Sequence, residues 1–516
     1  MNTRDQVIRN TLFSSLGIYT EYFLGMLTSI IIARHLGPTD FGAYSLVIWL
    51  VATGVVITNS GVASAIIKFV AELRGADRQA QIRPLLTWAW RVQGAFLAIV
   101  LLGGTALFLL HGQRLVANFN HGALLAILLV TTALRASYML NIAIAKGYEN
   151  FRVTAAIAVI VAPLNLLLIL VVWWLDGPMV WFLGTYTASS FVFWWISRRQ
   201  IEPLLPPAQP YEPLDEGLRT RLRSYTALVA VTVAISFVTA SEVEVLFLTL
   251  FDSAASAGQF KVAFQLSSGA LLLVPGVFGA LLLPMMANAL AQGPEVAGRR
   301  MAVSTTYLAA LAAPLVAFGV VFADAIIGLL YGEAYAPAAF AFALCLSTGA
   351  FSTLSLAASG YLLGSDRQRT LMFVVLGGVI VKVALDISLV QRYGLTGAVA
   401  AYGATSVLVG TVMIGIALYH SGARLEWGRM ARVLVAALLA AGIAWAVRGQ
   451  LAVLPGLVLG GILLSFAYVA GTLLLGFWSA PDLQHIQALH SRMAGGRPAF
   501  VGRILGWAAR RAEAAA

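Results

Sequence analysis

Charge is scarce in this 516-residue chain: 11% of its residues are Asp, Glu, Lys or Arg, against about 25% in a soluble globule. With 60% apolar residues and a mean hydropathy of +0.87, that scarcity excludes a water-soluble domain as the bulk of the chain. Cysteine is almost absent. Cys345 stands alone in an apolar run, which excludes an intramolecular disulfide, a cysteine zinc site and dithiol redox chemistry. No G-x-x-x-x-G-K-[ST] phosphate loop occurs, so ATP hydrolysis of the Walker kind is excluded. His485 and His490 have no acidic companion at ligand spacing, and neither a metal nor another cofactor is expected. No ten-residue alternating pattern recurs, which excludes a membrane β-barrel. Polar stretches much longer than about 25 residues are missing too, leaving no room for a sizeable extramembrane domain. No constellation of an enzyme is visible.

What the chain does have is apolar runs. A membrane-spanning helix needs about 20 such residues, and candidate spans lie near 11–33, 43–66, 84–110, 122–144, 153–175, 179–197, 224–250, 260–286, 302–322, 338–362, 370–390, 396–419, 431–447 and 452–475. The expected class is an all-α polytopic membrane protein of about fourteen helices. Arg4 and Arg9 precede the first run, which is longer than a signal-peptide core and reads as a retained span.

Basic residues alternate with the spans. With the N-terminus in the cytoplasm, about 25 basic residues fall inside, among them Lys68, Arg74, Lys146, Arg198, Arg221, Arg299, Arg369 and Arg429. Only Arg34, Arg114, Lys261, Arg392 and Arg448 fall outside. This topology accounts for the net charge of +11; the basic residues are not gathered with aromatics on one face, so no nucleic-acid partner is expected. Both termini are expected in the cytoplasm.

The chain also repeats itself. Gly42-Ala43-Tyr44 is answered by Gly258-Gln259-Phe260, Gly147, Glu149 and Arg152 by Gly364, Asp366 and Arg369, and Gly177 by Gly394, at a near-constant offset of about 216 residues. Pro203, Pro206, Pro207, Pro210 and Pro213 mark a linker between the copies. The expected organisation is a six-helix lobe over 1–197, a cytoplasmic linker over 198–223 and a second six-helix lobe over 224–419. Two additional helices follow over 420–475, then a basic tail over 476–516. Six is even, so the lobes share one orientation, as in parallel-repeat transporters with the substrate path between repeats. The tail mixes Ile486, Leu489, Phe500 and Trp507 with arginines and suits an anionic membrane surface or a partly disordered tether.

Ionisable side chains inside spans are costly and mark candidate sites. Glu21, Arg135, Lys382 and Asp386 lie near mid-span, Glu242 and Glu244 in the outer half of the seventh span, and Arg91 about two turns into the third. A guanidinium keeps its charge, so Arg135 requires water, an anion or a carboxylate at depth. It is read either as a contact to an anionic substrate group or as the fixed partner of Glu21 or of a helix-end carbonyl. Lys382 and Asp386, four residues apart, share a helix face and are expected to neutralise each other or to face a substrate. Arg91 either snorkels or joins the substrate site. Glu21 and Glu242 each sit on the first helix of a lobe, where carboxylates that bind a proton or cation suit ion coupling; Asp386 is the third such candidate. Glu242 and Glu244 cannot face the same way on one helix. Pro163, Pro275, Pro284 and Pro314 lie within spans as bends or packing features. Gly456 and Gly460 are expected to serve internal packing.

The run Ala33-Arg34-His35-Leu36-Gly37-Pro38-Thr39-Asp40-Phe41-Gly42-Ala43-Tyr44-Ser45-Leu46 resembles the signature of the polysaccharide-biosynthesis flippases of the multidrug/oligosaccharidyl-lipid/polysaccharide exporter superfamily. Ala145-Lys146-Gly147-Tyr148-Glu149-Asn150-Phe151-Arg152, Gly258-Gln259-Phe260-Lys261-Val262-Ala263 and Leu330-Tyr331-Gly332-Glu333-Ala334-Tyr335 extend the similarity over spans one to twelve. The resemblance implies a V-shaped pair of six-helix bundles about a central cavity. It also implies an undecaprenyl-diphosphate-linked oligosaccharide flipped across a bacterial inner membrane by alternating access, for O-antigen or exopolysaccharide export. The implied partners are that lipid-linked oligosaccharide and membrane lipids, with a polysaccharide polymerase and ligase nearby. Fourteen spans are also similar to the lipid II flippase branch, whose two extra helices are thought to guide the lipid tail. The rival readings are a cation-coupled multidrug or metabolite antiporter of the same superfamily and, further off, a membrane glycosyltransferase or polysaccharide ligase.

Overall fold

The computed structural model describes residues 3–115, 120–205, 212–240, 242–274 and 288–493, with a few isolated positions besides. Among these residues there is no strand. In hydrocarbon every backbone amide has to find its partner within its own segment, and an unbroken apolar run does so only as a helix. The helices are α1 (Thr3–Asn59), α2 (Val62–Gly75), α3 (Ile82–Leu115), α4 (His121–Gly147), α5 (Phe151–Trp174), α6 (Met179–Ile201), α7 (Glu216–Ala240), α8 (Val243–Phe251) and α9 (Ala254–Leu272). After them come α10 (Pro294–Val321), α11 (Ala323–Tyr331), α12 (Pro337–Leu354), α13 (Leu356–Gly364), α14 (Gln368–Leu385), α15 (Gln391–Ser421), α16 (Trp427–Val447), α17 (Val453–Leu474) and α18 (Ala480–Met493). Among the described residues, 9 helical stretches are long and apolar enough to cross a membrane. Leu102, Leu110, Trp174 and Phe466 are more than two-thirds exposed, as helices that face lipid require.

Helix ends follow local chemistry. Asn120 caps α4 by accepting from the Ala123 amide at 3.1 Å. Glu149 and Asp366, matched by the repeat, both adopt left-handed backbone, with φ of 59° and 57°. Both also close their helix with the same pair of bonds. The Glu149 amide reaches the Lys146 carbonyl and Asn150 the Ala145 carbonyl, while Asp366 reaches Leu363 and Arg367 reaches Leu362. Asp77 and Asp176 end their helices in the same way. Gly37 (φ 72°, ψ 173°), just before Pro38, breaks α1, and Gly394 (φ 52°, ψ −128°) breaks α15; glycine alone adopts such angles readily. Pro163 and Pro314 lie inside α5 and α10, whereas Pro275 and Pro284 fall outside the described residues.

The chain packs as two compact units, Met1–Gln265 with Val375–Tyr402, and Leu266–Val374 with Gly403–Ala516. The first has a core of Ile66, Phe69, Leu73, Leu85, Ile144 and Leu222, built from α2, α3, α4 and α7. Two glycine contacts bring its helices close. Gly42 and Gly258 meet backbone to backbone: a Cβ on Gly42 would collide with the Ala254 carbonyl, and one on Gly258 with the Pro38 carbonyl. Gly61 meets the Thr226 carbonyl in the same way.

The second unit has a core of Val321, Phe322, Val433, Ala436, Leu464 and Phe477. Gly460 leaves room there for the Phe322 ring, so its contact is internal packing. α18 is latched to this unit by Asp482, which accepts from the Tyr307 hydroxyl at 2.5 Å, Arg429 at 3.2 Å and the Ser479 hydroxyl at 2.6 Å. Burial opposes the charge on Asp482, but the bonds from Ser479 and Tyr307 and the Arg429 guanidinium outweigh it and hold its carboxyl below its ordinary value. A depressed carboxyl stabilises the fold above its unfolded pKa of about 3.9 and loses that contribution as pH falls through the lower folded value. Hydrogen exchange in Ala480–Met493 is therefore expected to be slow near neutrality and to accelerate below about pH 4. Asp482→Asn should loosen the segment at neutral pH by about 1–3 kcal/mol; unchanged protection in that variant would exclude the latch.

Candidate functional site

The seventh span, expected to be continuous, is interrupted. α7 stops at Ala240, and Glu242 takes non-helical angles (φ −79°, ψ 54°) before α8 begins. Two carboxylates therefore stand at the start of α8, two residues apart and facing opposite ways. Glu242 accepts from the Lys261 ammonium of α9 at 2.6 and 2.5 Å, with both side chains about one-fifth exposed. Glu244 is fully buried and pairs with Lys382 of α14. The first turn of α8 is thus tied to a different helix on each side.

Lys382 is 1% exposed, and its ammonium lies 5.7 Å over the Tyr402 ring of α15. Asp386 is fully buried, and neither of its carboxylate oxygens has a hydrogen-bond partner; one Glu244 oxygen is likewise unpartnered. The expected Lys382–Asp386 pair is corrected here, because the ammonium reaches across to α8. Sharing a helix face does not force two side chains together when a neighbouring helix offers a nearer acceptor. Asp386 instead opens a five-residue π turn, Asp386–Val390, an irregularity frequent at functional sites.

Arg135 on α4 lies apart from these pairs. Its Nε donates to the Ser190 hydroxyl at 2.9 Å, and its guanidinium stacks over Tyr186 at 4.5 Å and Phe193 at 4.9 Å. Tyr44 is a further electrostatic neighbour. Among the described residues no carboxylate pairs with Arg135. The flat aromatic bed orients the guanidinium and supports its charge without neutralising it. Arg91 is exposed on α3 and is not brought to Arg135 by any contact among the described residues. The Glu21 side chain lies outside the described residues. Its neighbours show where that part of α1 goes: Tyr22 donates to the Gln265 carbonyl and Ser29 to the Gln265 side chain, each at 2.9 Å.

Sequence reasoning missed Lys261, assigned to an outer loop although it sits in α9, and Glu244 as the partner of Lys382. It also missed the Tyr186–Ser190–Phe193 bed, although the spacing of these residues places them along one side of α6.

The sequence profile of the family described as polysaccharide biosynthesis protein matches residues 7–290, more than half of the chain. The chain belongs to this family. The chain matches no curated protein sequence at a significant level. Among solved structures it is similar to the lipid II flippase MurJ in an inward closed conformation. The TM-score is 0.71 at 11% identity, over 90% of this chain and 98% of that one. An inward-facing multidrug resistance MATE family transporter of the MOP superfamily aligns at a TM-score of 0.64 and 13% identity, over 78% of this chain and 94% of that one. A MOP superfamily transporter from Pyrococcus furiosus aligns at 0.55 and 14% identity, over 81% and 95%. At such identities the likeness establishes the fold alone: this polysaccharide biosynthesis protein is a multi-pass membrane protein with the fold of these flippases and exporters.

Proposed function

We propose that this polysaccharide biosynthesis protein is a flippase that moves an undecaprenyl-diphosphate-linked oligosaccharide across the bacterial inner membrane by alternating access, with both termini cytoplasmic. Arg135 carries the reading. A half-buried, permanently charged guanidinium on an aromatic bed, without a carboxylate partner among the described residues, suits a phosphate. An antiporter of amphipathic cations gains nothing from that charge, which favours the flippase over its nearest rival.

The second unit supplies what a lipid tail would need. Two adjoining apolar cavities of about 780 and 500 Å³ run between α10 and α17 and share Leu311, Pro314 and Ser465. Lys382 and Arg91 are the other substrate candidates, with Lys382 the weaker of the two because its ammonium is sealed against Glu244. Glu21, Glu242 and Asp386 are the coupling carboxylates in this reading, and a polysaccharide polymerase and ligase would act on the product.

Deleting the protein should cause an undecaprenyl-linked oligosaccharide to accumulate on the cytoplasmic leaflet; a strain still making the glycan without such accumulation would overturn the flippase reading. Replacement of Arg135 by Ala removes charge-assisted bonds of about 1.5–3 kcal/mol and should lower surface polysaccharide about tenfold or more at matched protein levels. Arg135→Lys should recover only part of the loss, because an ammonium neither stacks as a plane nor forks to two oxygens.

A further inference from the structure

We propose that Glu244, Lys382 and Asp386 form a proton-exchange site in which the Lys382 ammonium is a built-in counter-cation, so that protons rather than sodium drive transport. The inference rests on the transporter reading above and names its coupling ion.

The cluster holds two carboxylates and one ammonium, and none of the three is more than 1% exposed. Fully ionised it carries one net negative charge, which an apolar interior at membrane depth disfavours strongly. One added positive charge makes it neutral. The groups that face it are Glu244 on α8, Lys382 on α14, Asp386 on the π turn and Tyr402 on α15. Glu242 and Lys261 satisfy each other on the opposite side of α8 and stay out of the balance.

Hydrogen bonding then separates the two candidate ions. Three carboxylate oxygens, both of Asp386 and one of Glu244, lack a partner. A proton on Asp386 cancels the excess charge and also provides a donor. A sodium ion would have to share the space with an ammonium already bonded to Glu244 and lying beside Asp386 on the same helix face. Two cations in one buried site repel each other, and the tethered one cannot leave.

The exchange balances simply. Uptake of one proton makes Asp386 a neutral carboxyl beside the Glu244–Lys382 pair. Its release restores the negative charge and draws the ammonium from Glu244 toward Asp386. That shift loosens the tie between α8 and α14, so the proton count is linked to helix movement. The π turn at Asp386 is the irregular segment that can absorb it.

The test uses the purified full chain in lipid vesicles. Infrared difference spectra between acidic and alkaline pH should show a protonated-carboxyl band that disappears in Asp386→Asn, and radioactive sodium should show no saturable binding. Saturable sodium binding to the unmodified chain would overturn the inference, as would a spectrum without such a band or one unchanged in Asp386→Asn. Neither measurement involves a polysaccharide. A failure here with intact glycan accumulation on deletion condemns the ion assignment alone, and the converse condemns the flippase reading alone.

Discussion

Lys382→Met is expected to be among the most destabilising single changes in the protein. The ammonium is almost fully buried and is the cationic partner of Glu244, with Asp386 beside it. Removing it leaves two buried carboxylates without a counter-charge, and breaking a buried pair from one side costs about 3–5 kcal/mol. Removing both charges is different in kind. In Glu244→Leu/Lys382→Met no charged partner of the pair is stranded, and apolar groups of similar volume often replace buried pairs without loss. Thermal unfolding of the purified chain should therefore place the single variant well below the unmodified protein and the double variant between them. Equal melting of the single variant and the parent would show that the pair does not hold α8 to α14.

Gly42→Ala and Gly258→Ala are expected to impair transport more than stability. These glycines, matched by the repeat, touch each other: the Gly42 amide lies 3.0 Å from where a Cβ on Gly258 would sit, and the reverse distance is also 3.0 Å. Backbone fills the space on both sides, so a methyl group cannot be absorbed by a side-chain rotation. α1 and α9 must separate. Overpacking of this kind costs about 1–3 kcal/mol, charged here against the state in which the contact is closed, and so shifts its population about 5- to 150-fold. A membrane-impermeant maleimide should label Ser256→Cys faster when Gly42→Ala is added. The native Cys345 is buried and should contribute little background. An unchanged labelling rate would mean that the glycine contact does not close with the transport cycle.

Much of this was legible without coordinates. Unbroken apolar runs forced helices, and Glu149 and Asp366 were legible as short breaks between such runs, though not their left-handed backbone. The gap between the first two apolar runs, at 33–43, contains the break that the structure places at Gly37. These features are local: a helix, a cap or a kink depends on residues within a turn or two of itself. Arg135 was singled out for the same reason, since a charge inside an apolar run is conspicuous by its neighbours in sequence. Its aromatic bed was not, because Tyr186 and Phe193 come from another helix.

The ion pairs mark the boundary most clearly. From sequence, Lys382 has Asp386 four residues away on its own helix, and an isolated helix would pair them. In the folded chain its partner is Glu244, 138 residues distant. The intervals of the chain fixed which helices exist and which residues share a face. Which faces meet was decided by the rotation and tilt of each helix in its packed unit, where burying a charge is tolerable only beside its opposite. That condition links residues through space and leaves no periodic trace along the chain. The sequence by itself thus determined a helical membrane protein of the polysaccharide biosynthesis family, and the tertiary structure alone decided how its few buried charges are paired.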